Sequence, residues 1–146
     1  MIEHRETRFV PYPAELMYAV VSDVEQYPQF LPWVVALRVL ARRDNGLSAE
    51  MVVGYGALRE RYTSDVALDP VARSVAVTQT AGPFKTLENH WRFTPRDEGC
   101  EIEFSISFEF KSRLLQGVAG AKFEKAMLKM TGAFAARAKT LQGENA

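Results

Sequence analysis

Residues 112–141 read SRLLQGVAGAKFEKAMLKMTGAFAARAKTL, and the spacing within this stretch decides the fold. Leu115, Ala119, Phe123, Ala126, Met127, Met130, Phe134, Ala138 and Leu141 recur three or four residues apart, which places them in one apolar stripe on a helix. Lys122, Lys125, Lys129, Ala136 and Lys139 fall between them and form the opposite face. Ser112 is placed as N-cap and Gly143 as the stop. At about 1.5 Å per residue such a helix runs roughly 43 Å, and a seven-stranded sheet is roughly 34 Å wide. The helix is therefore long enough to cross a whole sheet, and its stripe requires such a partner. Core packing explains the stripe. Two Met and two Phe on it also suit a cavity wall, because Met adapts to irregular apolar shapes. The two readings are compatible if one end packs while the middle faces a ligand.

Working backwards, the segment before this helix is the clearest strand. Ile102, Phe104, Ile106, Phe108 and Phe110 alternate with Glu101, Glu103, Ser105, Ser107 and Glu109, apolar against polar throughout. Pro95 to Gly99 is a polar turn, preceded by Leu87, Asn89, Trp91 and Phe93 alternating with Glu88, His90, Arg92 and Thr94. Further strands are predicted over 34–43, 47–55, 58–68 and 74–80, with turns at Asp44-Asn45-Gly46, Asp69-Pro70 and Ala81-Gly82-Pro83. Gly54 and Gly56 flank Tyr55 and mark a bend, a bulge or a close backbone approach. At the start of the chain, residues 2–10 read as a strand closed by Pro11 and Pro13. Leu16, Met17, Val20, Val21 and Val24 then give a helical face. Pro28 and Pro32 restrict the next segment to a short helical turn and a break. Tyr27, Phe30, Leu31 and Trp33 there form an aromatic knot that must pack on the core or on a ligand. The order predicts an α+β fold: a curved antiparallel sheet of about seven strands wrapped around the long C-terminal helix, with two short helices after the first strand. Gaps between such layers are natural apolar ligand sites.

The chain of 146 residues is expected to form a single domain spanning 1–146, with no repeat or linker. At 47% hydrophobic and 25% charged it has the balance of a soluble globular protein. Eighteen basic residues match eighteen acidic ones, so no global field favours DNA or an anionic membrane. Lys122, Lys125 and Lys129 form a local patch, read first as a solvated helix face. The one cysteine, Cys100, excludes an internal disulfide and fits a reducing compartment. No apolar run approaches a membrane span, and the opening MIEHRETRF has no signal-peptide core. These features point to a cytoplasmic bacterial protein.

Several segments carry a family resemblance: Tyr27-Pro28-Gln29-Phe30-Leu31-Pro32-Trp33, Val53-Gly54-Tyr55, Gly82-Pro83-Phe84-Lys85-Thr86-Leu87, Trp91-Arg92-Phe93, Phe108-Glu109-Phe110-Lys111-Ser112 and Phe134-Ala135-Ala136-Arg137-Ala138. In these segments, in this order, the sequence resembles the coenzyme Q-binding START-like proteins of the polyketide cyclase/lipid-transport, or helix-grip, superfamily. It departs from that pattern at Val34, where many members carry Cys, and at Tyr55, where Phe is more usual. The resemblance implies a sheet gripping the C-terminal helix around a cavity for a hydrophobic molecule. It further implies ubiquinone as the ligand, delivered to respiratory complexes with transient contact at the inner membrane. Bacterial members also carry the name of ribosome-association toxins, which implies an alternative function, binding the large ribosomal subunit and inhibiting subunit joining.

The residues themselves offer little chemistry. His90 lies between Glu88 and Arg92 on the polar face of its strand, and Cys100 at a turn has no histidine near it in sequence. Metal-ligand spacings, phosphate loops and nucleophile elbows are missing from the sequence. Asp23 and Glu25 read as helix caps or as a cavity mouth. A cyclase or dehydratase, the third alternative, needs a polar group to polarise a carbonyl, and Tyr27, Tyr55, Tyr62 and Asn89 are the candidates. The expectation is a non-enzymatic binder with no metal or cofactor, whose ligand is ubiquinone or a related isoprenoid. Its trough is assigned to Trp91, Phe93, Phe104, Ile106 and Phe108 on the sheet, and Phe123, Met127, Met130 and Phe134 on the helix. Tyr55, Tyr62 or Asn89 would hydrogen-bond a quinone oxygen, and Phe30 and Trp33 would gate one end. Each apolar residue is equally well explained as core; the trough is a property of the set.

Overall fold

The computed structural model describes residues 1–55 and 57–144, with the side chains of Tyr55 and Glu144 outside that description. The seven strands are β1 (Ile2–Val10), β2 (Val34–Arg43), β3 (Gly46–Tyr55), β4 (Leu58–Asp69), β5 (Ser74–Ala81), β6 (Phe84–Arg96) and β7 (Gly99–Phe110). They form one antiparallel sheet in the order β1-β7-β6-β5-β4-β3-β2. Six strands therefore follow one another as hairpins, and only β1 returns from the far end of the chain to lie beside β7. Helix α1 (Ala14–Ser22), a single 3-10 turn (Val24–Gln26) and α2 (Tyr27–Phe30) connect β1 to β2, and α3 (Arg113–Leu128) and α4 (Met130–Glu144) close the chain. This is the expected α+β helix-grip architecture.

The alternation legible in the sequence sets which face is inside. On β7, Cys100, Ile102, Phe104, Ile106, Phe108 and Phe110 are all buried. Their cross-strand partners on β6 include Leu87, Trp91 and Phe93, also buried. Cys100 thus lies in a strand and fully inside, not at an exposed turn. The expected source of curvature differs from the observed one. Gly54 pairs with Arg59 without a slip of register but is closely approached, since a Cβ there would lie 2.7 Å from Arg59 Nη1 and 2.9 Å from Val35 Cγ2; Gly56 lies outside the described residues. The register instead slips at Val34/Ala36, Val39/Ala41, Thr63/Ser64 and Phe84/Thr86, and bulges of this kind bend and twist a sheet.

The C-terminal helix also differs from its expectation as a single rod. It is two segments joined at Lys129, whose N–H turns to the carbonyl of Ala126, three residues back, as in a 3-10 turn. No proline or glycine marks this place. The break preserves the phase of the stripe, so Phe123, Met127, Met130 and Phe134 all stay buried. Ser112 caps α3 as expected, its hydroxyl accepting from the Leu115 N–H at 3.1 Å. Gly143 lies within α4, so it is not the stop.

Aromatic clusters hold the two segments to the sheet. Phe123 of α3 packs on Phe108 and Phe84 at centroid distances of 4.5 and 5.1 Å, and Phe84 stacks on Phe110 at 4.6 Å. Phe134 of α4 sits edge-on to Trp91, Tyr27 and Phe30 at 5.1, 5.2 and 5.3 Å. A polar tie joins α4 to the edge strand β1: the buried Thr131 hydroxyl donates to Glu6 at 2.6 Å and accepts from Arg8 at 3.3 Å. Glu6 in turn contacts His4 at 3.2 Å.

Because Phe134 is fully buried among three rings, Phe134→Ala is expected to cost about 3–5 kcal/mol. That is a large share of a typical domain stability of about 5–15 kcal/mol, and it will appear as a marked drop in the urea midpoint.

Candidate apolar ligand site

Between the two aromatic clusters the helices and the sheet do not meet completely. A narrow cavity of about 60 Å³ remains, roofed by Phe123, Met127 and Met130. Its floor is a row across four strands, Ile106 on β7, Asn89 on β6, Val77 on β5 and Val66 on β4, level with one another in the register. Ser64 and Ala49 continue the floor one step along β4 and β3, and Tyr62, Leu87 and Trp91 flank it. Tyr27 and Leu31 wall the end nearest α2, and Trp33, Leu37 and Met51, each half-buried, form the rim beside the β2–β3 hairpin. By volume the cavity holds on the order of four waters. Ligand pockets commonly offer ~300–1,000 Å³.

The lining is apolar apart from four groups. Tyr27 donates its hydroxyl to the Val21 carbonyl. Tyr62 donates to the thioether of Met51 at 3.2 Å, a weak acceptor that a better one would displace. Burial pushes both phenols well above their ordinary value, so both stay protonated and act as donors at neutral pH. The Ser64 hydroxyl and the Asn89 side-chain oxygen are buried and have no hydrogen-bond partner among the described residues. Leaving such a group unsatisfied costs about 1–3 kcal/mol, so two of them in one apolar cavity call for an explanation.

The site assigned from sequence divides. Trp33, Tyr62, Asn89, Trp91, Ile106, Phe123, Met127 and Met130 line the cavity. Phe93, Phe104, Phe108 and Phe134 do not; they are core residues, buried in the layers above and below it. Alternation gives the face of the sheet but not the height at which side chains leave a gap, so these four were indistinguishable from their neighbours in sequence. Phe30 lies outside the cavity against Phe134, beneath the Arg137 guanidinium at 5.3 Å. The side chain of Tyr55 is outside the described residues. The lining residues not assigned from sequence include Ser64, Ala49, Met51 and Leu37, together with the floor valines Val66 and Val77. Ser64 was the findable one, a small polar residue between Tyr62 and Val66 on the inward face of β4. The other titratable candidates lie elsewhere. His90 is exposed on the convex face, Asp23 makes no side-chain cap bond, and Glu25 pairs with Arg42. Among the described residues, no group of three or more His, Cys, Asp or Glu is arranged to hold a metal ion. No described helix is long and apolar enough to cross a membrane.

A sheet that grips a helix, with a small apolar cavity between them, defines the START-like helix-grip class. A sequence model of the family described as polyketide cyclase / dehydrase and lipid transport matches residues 10–135. The chain is similar to the ribosome association toxin RatA of Pseudomonas aeruginosa, 35% identical over 140 residues that cover 95% of this chain and 96% of that protein. It is also similar to the mitochondrial coenzyme Q-binding protein COQ10 homolog B of Xenopus laevis, 34% identical over 97% of this chain but only 60% of the relative. Among solved structures, an 18 kDa protein of Caulobacter crescentus superposes with a TM-score of 0.78 at 39% identity, covering 98% of this chain and 99% of the other. The chain therefore belongs to the polyketide cyclase / dehydrase and lipid transport family.

The unpartnered hydroxyl makes a stability test. Ser64→Ala removes a buried group that gains nothing in the ligand-free fold, so the stripped variant should match the parent or exceed it by up to about 1 kcal/mol in urea unfolding. A serine satisfied within the protein would lose stability on the same change.

Proposed function

We propose that the protein binds and carries ubiquinone or a related isoprenoid with an oxygenated ring, and does not transform it. The observation that carries this reading is the pair of buried, unpartnered oxygens, Ser64 Oγ and Asn89 Oδ1, in an otherwise apolar cavity. They sit on β4 and β6, two strands apart, so their backbones are roughly 10 Å from each other. Side chains reaching inward from both would meet a ring that bears oxygens on opposite edges. Ser64 and Tyr62 supply donors for carbonyl oxygens, and the Asn89 amide offers a donor or an acceptor according to which way it is turned. The unbranched side chains of Met127 and Met130 form the adaptable part of the roof, which must yield for a ring to enter. The ionisable groups of the lining are the two tyrosines, both held neutral. That suits binding better than proton transfer. The similarity to a coenzyme Q-binding relative supports the same reading, and delivery to respiratory complexes at the inner membrane follows as its physiological form.

The test is native extraction. Purified from a quinone-rich host, the protein is expected to yield ubiquinone in stoichiometric amount by mass spectrometry. Ala49→Phe, which fills the floor from β3, and Met127→Trp, which fills it from the roof, should fold and come out empty. Equal ligand in the parent and in both folded variants would remove this cavity from consideration.

A second reading, association with the large ribosomal subunit, draws on the full-length similarity to a protein named for ribosome association. It predicts salt-sensitive co-sedimentation of the protein with large subunits, unaffected by Ala49→Phe.

A further inference from the structure

We infer that the solvent-facing side of α3 is a docking surface for an anionic lipid bilayer. The first observation is how charge is distributed along a neutral chain. The segment 111–144, from the end of β7 to the end of α4, holds seven basic residues, Lys111, Arg113, Lys122, Lys125, Lys129, Arg137 and Lys139, and two acidic residues, Glu124 and Glu144. Of the eighteen of each sign in the chain, eleven basic and sixteen acidic residues remain for everything else. The balance of zero is therefore a C-terminal segment at +5 set against a body at −5.

The second observation is what lies between the cations. At about 100° per residue, Leu114, Val118, Ala121, Lys125 and Leu128 fall along the line of α3 opposite the buried Phe123. Leu114, Val118 and Leu128 are 78, 54 and 52% exposed, so three large aliphatic side chains stand in water in one row. Lys125 stands within that row, and Lys122 and Lys129 border it on the side of Val118. Cations on the sheet mostly find carboxylates, as in the pairs Arg43–Asp65, Arg96–Glu101 and Arg38–Glu50. Arg113, Lys122, Lys125 and Lys129 form no ion pair among the described residues.

An aliphatic row edged by lysines matches the layered chemistry of a bilayer surface. The aliphatic groups enter the boundary of the acyl chains, while the lysine stems lie along it and carry their ammonium groups to the phosphates. A nucleic-acid surface would satisfy the lysines but leave Leu114, Val118 and Leu128 in water. The same helix turns Phe123 and Met127 toward the cavity, so docking on this face lays a wall of the cavity against the membrane. The inference goes beyond the carrier reading and is independent of which molecule the cavity holds.

The full chain is sedimented with vesicles of phosphatidylcholine and with vesicles of phosphatidylcholine and phosphatidylglycerol. Binding is expected only to the second kind, weakening as salt is raised. Lys122→Gln, Lys125→Gln and Lys129→Gln should each lower partitioning about fivefold. Leu114→Asn with Leu128→Asn should remove the part that survives added salt. All five positions are exposed, so unfolding midpoints should not move. No binding to phosphatidylglycerol vesicles, or partitioning indifferent to these changes, overturns the proposal. It is equally overturned if the variants lose only large-ribosomal-subunit binding or only self-association while vesicle binding stays as in the parent. Ligand extraction reports on the cavity separately, so the two readings fail independently.

Discussion

The structure depends on how the C-terminal helical segment is fixed to the sheet. Two aromatic contacts do this, Phe123 into the Phe84, Phe108 and Phe110 cluster, and Phe134 into Tyr27, Phe30 and Trp91. Rings in such clusters have few rotamers and large contact areas, so the ends of the segment are held firmly. The stretch between them carries Met127 and Met130, which have three rotatable side-chain bonds each and no fixed shape. The backbone break at Lys129 falls in the same stretch. Rigidity at both ends and compliance in the middle place the cavity where the packing is easiest to change.

That arrangement also explains which parts of the molecule were legible in the sequence. The succession of strands along the chain, the inward face of β7 and the capping of α3 by Ser112 follow from alternation and local hydrogen bonding, and the residues state them directly; the pairing of β1 with β7 joins the two ends of the chain and leaves no local mark. The break at Lys129 could not be read, because a 3-10 turn that keeps the stripe in phase leaves the periodicity unaltered. The cavity lining was half legible for a related reason. Met127, Met130, Trp91 and Asn89 share a face with Phe104 and Phe134, and only the heights of the layers separate a cavity wall from a core residue. Ser64, a serine between inward apolar neighbours, reads in sequence as a minor polar insertion. Its meaning depends on what is missing around its oxygen, which no linear pattern records.

α3 is asked to present two unlike surfaces with sixteen residues. Its inner side offers Ala119, Gly120, Phe123, Ala126 and Met127, three small residues with two large ones, all buried. Its outer side combines aliphatic and lysine side chains. The outer side departs from that of an ordinary amphipathic helix, in which water-facing positions are uniformly polar. A single helix that is apolar inside and part-apolar outside is what the sequence stripe conceals, since the stripe describes only the inner half.

The sheet is open, and so it has two edges, β1 and β2, with backbone groups available to any passing strand. Such edges invite sheet-to-sheet growth unless something discourages it. On β1, Glu6 and Arg8 point inward and are committed to Thr131 on α4. A foreign strand that displaced β1 would strand that carboxylate and guanidinium, while one that added to it would run beside the opposite charges of Glu3 and Arg5. On β2, two slips of register and the side chains of Arg38, Arg42 and Arg43 spoil a flat template. The polar tie that fastens the last helix to the first strand therefore also protects the protein from polymerising through its own sheet.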